Sequence, residues 1–258
     1  MADSSAPSAL VLGGTAGIGL AAARQLLRAG VRVAVFGRSM EGIAAARLVL
    51  GADVISIQGD LRKPTDAILL HREVSASLGV PNILINLIGG DGAIGSLLDL
   101  DDATWQIDFE ENLFAAVRGD RAVVPGMVKR GSGCVVHISS VAALRPDPQY
   151  APYCAAKAAL GAYSMALARE LAPKGVICNC LFPGPVDTRQ MQSVEKRVSA
   201  FRGISPADVR REFERGIATG RYLSPDEVAE AVVWLARDGT RGVVGSRLVI
   251  DGGMLFSA

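Results

Sequence analysis

Tyr153 and Lys157 stand four residues apart in the stretch YCAAK, with only Cys154, Ala155 and Ala156 between them. On a helix, positions i and i+4 share one face, so the phenol and the ammonium lie side by side. A neutral phenol is a suitable proton donor, with an unperturbed pKa of about 10. A nearby ammonium favours the phenolate and lowers that value, so the pair can move a proton in either direction near neutrality. Pro152 opens the helix and puts Tyr153 in its first turn, where the helix dipole stabilises negative charge. The chain has five lysines against twenty-two arginines, so a lysine at 157 goes against its habit. An arginine there is too basic to join a proton relay. Tyr150 is a decoy, because only Tyr153 has a lysine at i+4. By itself the pair is also an ordinary helical turn; chemistry needs a partner molecule held beside it.

A place for that partner lies near the start of the chain, in LGGTAGIGLAAA. Gly13, Gly17 and Gly19 give G-x3-G-x-G at a strand-to-helix turn, with Thr15, Ala16 and Ile18 completing the loop. Glycine suits a tight turn, and it lets the backbone approach a pyrophosphate without a Cβ in the way. The helix that follows points free N–H groups at the phosphates. About twenty residues after Gly17 the second strand ends in Gly37, Arg38 and Ser39. A cofactor with a free ribose 2′-hydroxyl calls for Asp or Glu there, whereas Arg pairs with a 2′-phosphate. The pattern therefore favours NADPH/NADP+ over NADH.

Short apolar runs alternate with helical patterns along the chain. Seven runs read as strands: 9–13, 32–36, 53–58, 82–88, 133–139, 175–182 and 246–251. Several are continuously apolar, as strands buried on both faces of a parallel sheet are. Helices are expected over 19–30, 64–79, 101–129, 152–173 and 224–237. Pro125 should end or kink the long third one, and Ser224 with Glu227 forms a capping box for the last. The alternation predicts an α/β fold, a single-domain (1–258) doubly wound Rossmann sheet of seven parallel strands with helices on both faces. The Arg-rich stretch 187–222 shows no strand signal. Ligands bind beyond the carboxyl ends of such strands, so this stretch is placed to close over the substrate.

Composition sets outer limits. The 258 residues are half hydrophobic and include 29 glycines, which excludes a disordered chain. A formal charge of +1 leaves no nucleic-acid footprint. No apolar run reaches the roughly 18 residues of a membrane span. MADSSAPSAL reads as a short frayed tail of a cytoplasmic protein. Cys134, Cys154, Cys178 and Cys180 read as free, buried thiols, and with His71 and His137 far apart no metal site is expected.

With these motifs in order, the chain resembles the short-chain dehydrogenase/reductase family over roughly residues 8 to 253, most closely its 3-oxoacyl reductase-like ketoreductases. The resemblance rests on the glycine loop, on Asp60-Leu61 after the third strand, and on Asn86 to Gly89 in place of the family's N-N-A-G. It rests also on Asn112, on Ser140 thirteen residues before Tyr153, on Lys157, on Pro183-Gly184 with Val186 to Thr188, on Gly245 and on Asp251-Gly252-Gly253. It implies that Asp60 and Leu61 contact the adenine, that Pro183, Gly184, Val186 and Thr188 hold the nicotinamide carboxamide, and that Asn86 and Gly89 belong to the cofactor site. Asn112, Ser140, Tyr153 and Lys157 would then be the catalytic set, with Tyr153 and Lys157 also touching the cofactor ribose. In that set Asn112 steadies a water that passes protons to Lys157. Leu12, Leu87 and Ile88 depart from the family pattern and make the strand-four turn more apolar.

Ser140 is placed to hold a substrate oxygen and stabilise charge developing on it. Strand alternation sends the neighbouring Ser139 to the other face. The expected activity is NADPH-dependent reduction of a ketone, or the reverse oxidation of an alcohol. A catalytically silent nucleotide-binding scaffold or sensor, and the same fold running epimerisation or imine reduction, remain as alternatives. The family pairs into homodimers or homotetramers through the long helix and the Tyr-bearing helix. Asp91 and Arg189, Arg197 and Arg202 are expected to be solvated. The substrate pocket is expected from 90–98, 141–150 and 187–222, with Ile94, Leu97, Leu98 and Leu144 as its apolar wall.

Overall fold

Ser8–Leu12 forms strand β1, buried along its whole length at the centre of the sheet. Ala9 and Val11 join one core and Leu10 and Leu12 the other, as alternating side chains of a strand covered on both faces must. The computed structural model describes residues 6–52 and 54–256. The first five residues of the expected tail, and Asp53 of the expected third strand, lie outside the described residues.

The other strands are β2 (Arg32–Gly37), β3 (Ile55–Gln58), β4 (Ile83–Asn86), β5 (Gly133–Ile138), β6 (Val176–Pro183) and β7 (Arg247–Ile250). They form one seven-stranded sheet in the order β3-β2-β1-β4-β5-β6-β7, parallel throughout. The strand order reverses between β1 and β4, and a crevice for a ligand opens beyond their carboxyl ends.

The helices are α1 (Gly17–Arg28), α2 (Met40–Leu50), α3 (Pro64–Ser77), α4 (Asp102–Phe109), α5 (Ala115–Arg130), α6 (Ala151–Leu171), α7 (Arg189–Arg202), α8 (Pro206–Arg215) and α9 (Pro225–Leu235). Alanines of α1 pack with valines of α9 over one face of the sheet. Leu70 and Val74 of α3, Val123 and Met127 of α5, and Ala168 and Leu171 of α6 cover the other. The capping box holds, with Ser224 accepting from the Glu227 N–H and Glu227 accepting from the Ser224 N–H.

Three expectations are corrected. Pro125 does not end its helix, because α5 runs on to Arg130. Proline sits on the exposed side, so the carbonyl it leaves unpaired faces water, while Val123, Val124 and Met127 anchor the buried side. The long helix is interrupted earlier, where a π-helical turn over Glu110–Phe114 joins α4 to α5 and carries Asn112. Such turns insert one residue and recur at functional sites. Second, the stretch 187–222, for which no helix was expected, contains α7 and α8, each started by a side-chain cap, Thr188 and Ser205. Third, α2 was not anticipated; Ser39 caps it by accepting from the Gly42 N–H at 3.0 Å.

Candidate active site

The turn from β1 into α1 leaves no room for side chains. Gly13 adopts φ +79°, and a Cβ there would lie 2.9 Å from the Leu87 carbonyl oxygen. A Cβ on Gly19 would collide with the Gly13 carbonyl. Ala16 stands at the N-cap of α1, gives no side-chain cap, and no acid lies in the first turn. The leading N–H groups of α1 are thus left to an anion. A cleft of about 710 Å³ opens here, lined by Gly13, Thr15 to Gly19, Arg38, Asp60, Leu61, Leu87 to Gly89 and Thr188.

A second cavity of about 270 Å³ adjoins it, sharing Ile18, Leu87, Gly89, Thr188 and Gln190 with the first. Ser140, Tyr153, Lys157, Pro183, Gly184 and Val186 line this second space. β5 ends beneath it. Ser139 and Ser140 both border this space, but the Ser139 hydroxyl is committed to the Lys157 carbonyl at 2.8 Å, which leaves Ser140 as the serine able to donate to a ligand. The Ser140 hydroxyl lies close enough to the Tyr153 phenol for the two side chains to interact, which favours the phenolate. Two hydroxyls from different elements therefore meet at one point.

Lys157 is buried, with Nζ donating to the Ile138 carbonyl at 3.3 Å and lying 5.8 Å from the centre of the Tyr153 ring. Burial pushes its pKa down to about 8, and the nearby Cys180 sulfur only partly offsets this. Burial pushes the Tyr153 phenol up to about 12, and the Ser140 hydrogen bond only partly offsets this. The sequence led us to expect the ammonium to draw the phenol's pKa down. In the folded chain burial is instead the largest influence on the phenol, so Tyr153 is neutral at neutral pH.

Asn112 is fully buried; its Oδ1 accepts from the Gly90 N–H at 3.0 Å and its Nδ2 donates to the Asp108 carbonyl at 3.1 Å. Gly89 separates it from Lys157: a Cβ there would stand 2.9 Å from Asn112 Oδ1 and 3.0 Å from Lys157 Nζ. The glycine lets the two side chains approach one another across the β4 turn.

Not every residue named from sequence reaches the two cavities. Asn86 is buried and donates to the Ala116 carbonyl and to Asp120, tying β4 to α5. Ser39 caps α2 and is absent from the cleft wall. Ile94, Leu97, Leu98 and Leu144 do not line the substrate cavity, and Leu98 is 93 % exposed. Its apolar wall comes instead from Val141, Met191, Val194, Phe213, Met254 and Leu255. Asp251 positions the last two, accepting from the Gly253 and Leu255 N–H groups at 2.8 Å each. Asp91 lines the cavity rather than standing in a solvated loop. Arg197 donates to the Asp91 carbonyl at 3.1 Å and also to that of Gly92, while Gln190 donates to Gly90. These bonds hold the 187–222 stretch against the β4 turn. Arg202 pairs with Glu212, and Arg189 lines the nucleotide cleft.

Among the charged cleft residues that sequence reasoning missed are Arg62 and Glu111. Each directly adjoins a residue it had marked, Leu61 and Asn112, so adjacency was the available signal. All four cysteines are free and buried. Among the described residues, no helix is long and apolar enough to cross a membrane.

Comparison with known proteins agrees with this geometry. The family model described as enoyl-(acyl carrier protein) reductase matches residues 13–255. A Streptomyces coelicolor protein named as a ketoacyl reductase is 32 % identical over 98 % of this chain and 99 % of its own length. The acetoacetyl-CoA reductase of Allochromatium vinosum is 32 % identical over 96 % of this chain and 98 % of its own. A variant of actinorhodin polyketide ketoreductase solved with NADPH superposes with a TM-score of 0.93 at 32 % identity, covering 98 % of this chain and 99 % of that one. The chain belongs to the short-chain dehydrogenase/reductase family of oxidoreductases.

Proposed function

We propose that this protein is an NADPH-dependent carbonyl reductase in which Tyr153 donates the proton. The observation that carries the reading is the convergence of Ser140 and Tyr153 on one point of a cavity continuous with a nucleotide cleft. Two hydroxyls aimed at one position suit a single oxygen that gains negative charge, which is what a carbonyl becomes on reduction. Hydride addition to an enoyl thioester also charges an oxygen, that of the enolate, so the choice of ketone over enoyl reduction rests on the relatives named as ketoacyl and acetoacetyl-CoA reductases. The paired hydroxyls favour an active enzyme over a silent scaffold.

The cleft suits the dinucleotide. The glycine wall admits a pyrophosphate, the uncapped start of α1 meets its charge, and Arg38 is 57 % exposed at the far end for a 2′-phosphate. When bound, the reduced nicotinamide supplies a hydride to the carbonyl carbon. Ser140 orients the substrate oxygen. Tyr153, neutral at pH 7, gives its proton to that oxygen as charge develops. Lys157 is close to its own titration point and so able to restore the proton through Asn112's neighbourhood. Thr188, Pro183, Gly184 and Val186 border the junction of the two cavities, where the reacting carbon would lie.

The small apolar cavity suits a ketone on a flexible chain, and 3-oxoacyl thioesters are the first class to try, as the names of the relatives suggest. The 187–222 stretch is the substrate-closing part of one Rossmann domain. Exposed Ile107 and Phe114 on the long helix support self-association there into a dimer or tetramer.

The experiment that tests cofactor choice is Arg38→Ala. Loss of one charge-assisted contact of about 1.5–3 kcal/mol should weaken NADPH binding roughly 10- to 100-fold and leave NADH binding little changed. Fluorescence titration of both reduced dinucleotides reads this directly, and an equal loss for both would contradict a 2′-phosphate contact at Arg38.

A further inference from the structure

The outer end of the nucleotide cleft holds four charged side chains brought together from three elements. Arg38 follows β2, Asp60 and Arg62 follow β3, and Glu111 stands on the π-helical turn beside Asn112. Arg62 is engaged through all three nitrogens: its Nε and Nη2 donate to Asp60 at 2.9 and 2.6 Å, and its Nη1 donates to Glu111 at 2.8 Å. Asp60 is thereby neutralised. Arg38 is in a different position. Its nearest acid is Glu111, at 3.9 Å, too far for a hydrogen bond. Glu111 is only 19 % exposed and is wedged in place, because its second carboxylate oxygen lies where a Cβ on Gly90 would be. Glu110, next to it, turns away to pair with Arg118.

The end of β2 carries Gly37-Arg38-Ser39, without the acid that a free ribose 2′-hydroxyl calls for. Glu111 brings an acid to the same place from another element. We infer that Glu111 is a specificity-determining residue that limits the preference for a 2′-phosphorylated dinucleotide. The inference rests on the cofactor reading above. A phosphate monoester seated on Arg38 carries nearly two negative charges, and the fixed carboxylate a few ångströms away repels it. A 2′-hydroxyl at that point meets no such repulsion, and the carboxylate can accept a hydrogen bond from it. The π-helical turn thus directs two successive side chains to different tasks, Asn112 toward Lys157 and Glu111 toward the outer ribose.

The test is equilibrium titration of wild type, Glu111→Gln and Glu111→Asp with NADPH and with NADH, read by dinucleotide fluorescence. Glutamine keeps an oxygen to accept from Arg62 and removes only the charge. The NADPH Kd of Glu111→Gln should fall about tenfold, equivalent to about 1.4 kcal/mol, while the NADH Kd moves less than about twofold. Glu111→Asp keeps the charge and should hold the NADPH:NADH ratio near that of wild type. An unchanged or weaker NADPH affinity in Glu111→Gln, or an equal gain for both dinucleotides, overturns the inference alone. Wild type binding neither dinucleotide overturns the cofactor reading and the inference together. An altered ratio in Glu111→Asp as large as in Glu111→Gln would assign the effect to packing, and would also overturn it.

Discussion

Tyr153→Phe lowers the rate of carbonyl reduction by roughly 10³-fold and leaves dinucleotide affinity within about twofold. The substitution removes one hydroxyl and keeps the ring that packs against Gly92. General acid catalysis by a positioned side chain contributes ~10²–10⁴-fold, and among the acids lining the cavity Tyr153 is the one whose side chain interacts with Ser140. Tyr150 also lines that cavity, but no lysine follows it at i+4 and burial raises its pKa strongly. The pH profile adds a second reading of the same site. Burial holds Tyr153 near 12 and Lys157 near 8, so the reductive rate should be level through neutrality and fall above about pH 8 as Lys157 loses its proton. Turnover numbers and fluorescence titrations on the purified variant check both halves. Undiminished turnover in Tyr153→Phe would remove the phenol from the mechanism.

Lys157→Met separates activity from stability. Methionine matches the lysine stem in length and fills the same buried space without a charge. Reduction should fall roughly 10²- to 10³-fold, because the group that restores the Tyr153 proton is gone. The fold should become more stable at pH 7. Lys157 titrates at about 8 in the folded chain against 10.5 for a free lysine, so at pH 7 both states carry the proton and the folded one holds it at a cost. At 1.36 kcal/mol per unit that cost is about 3 kcal/mol, which methionine removes. The sign fixes the pH window. Between about 8 and 10.5 the unfolded chain binds more protons, so wild-type stability rises with pH and the advantage of the variant shrinks. Thermal unfolding of both proteins at pH 7 and pH 10 measures it. A variant less stable than wild type at pH 7 would mean that Lys157 is better solvated than its burial implies.

Much of the site was legible because its residues are tied together by local spacing. Tyr153 and Lys157 share a helix face, Ser140 lies just past a strand whose alternation separates it from Ser139, and the glycine loop sits at the first strand-to-helix turn. The seven strands were readable for a related reason: parallel strands buried on both faces are continuous apolar runs. The 187–222 helices left a weaker trace because α7 and α8 bury so few residues, Glu195 and Val198 in one and Val209 in the other. The π-helical turn at Glu110–Phe114 has no composition of its own; it arises where Asn112 is drawn onto Gly90 and Asp108. Met254 and Leu255 reach the substrate cavity only because β7 pairs with β6 and Asp251 folds the chain end inward, contacts that no local pattern encodes. Asn86 was assigned to the cofactor from its motif, yet its side chain is turned into the sheet–helix interface. The pKa of Tyr153 was misjudged for a physical reason: spacing reveals a neighbouring charge but not the desolvation that opposes it.

Hydride transfer from a nicotinamide to a carbonyl carbon, in the cavity bounded by Ser140 and Tyr153, can be followed by isotope. An acetoacetyl thioester is turned over with NADPH carrying deuterium at the transferring position, and the product is examined by mass spectrometry. The expected result is a 3-hydroxy product with one deuterium on the carbinol carbon, formed by wild type and roughly 10³-fold more slowly by Tyr153→Phe. Deuterium retained in the dinucleotide across a panel of ketones, or delivered to a former carbon–carbon double bond, would contradict it.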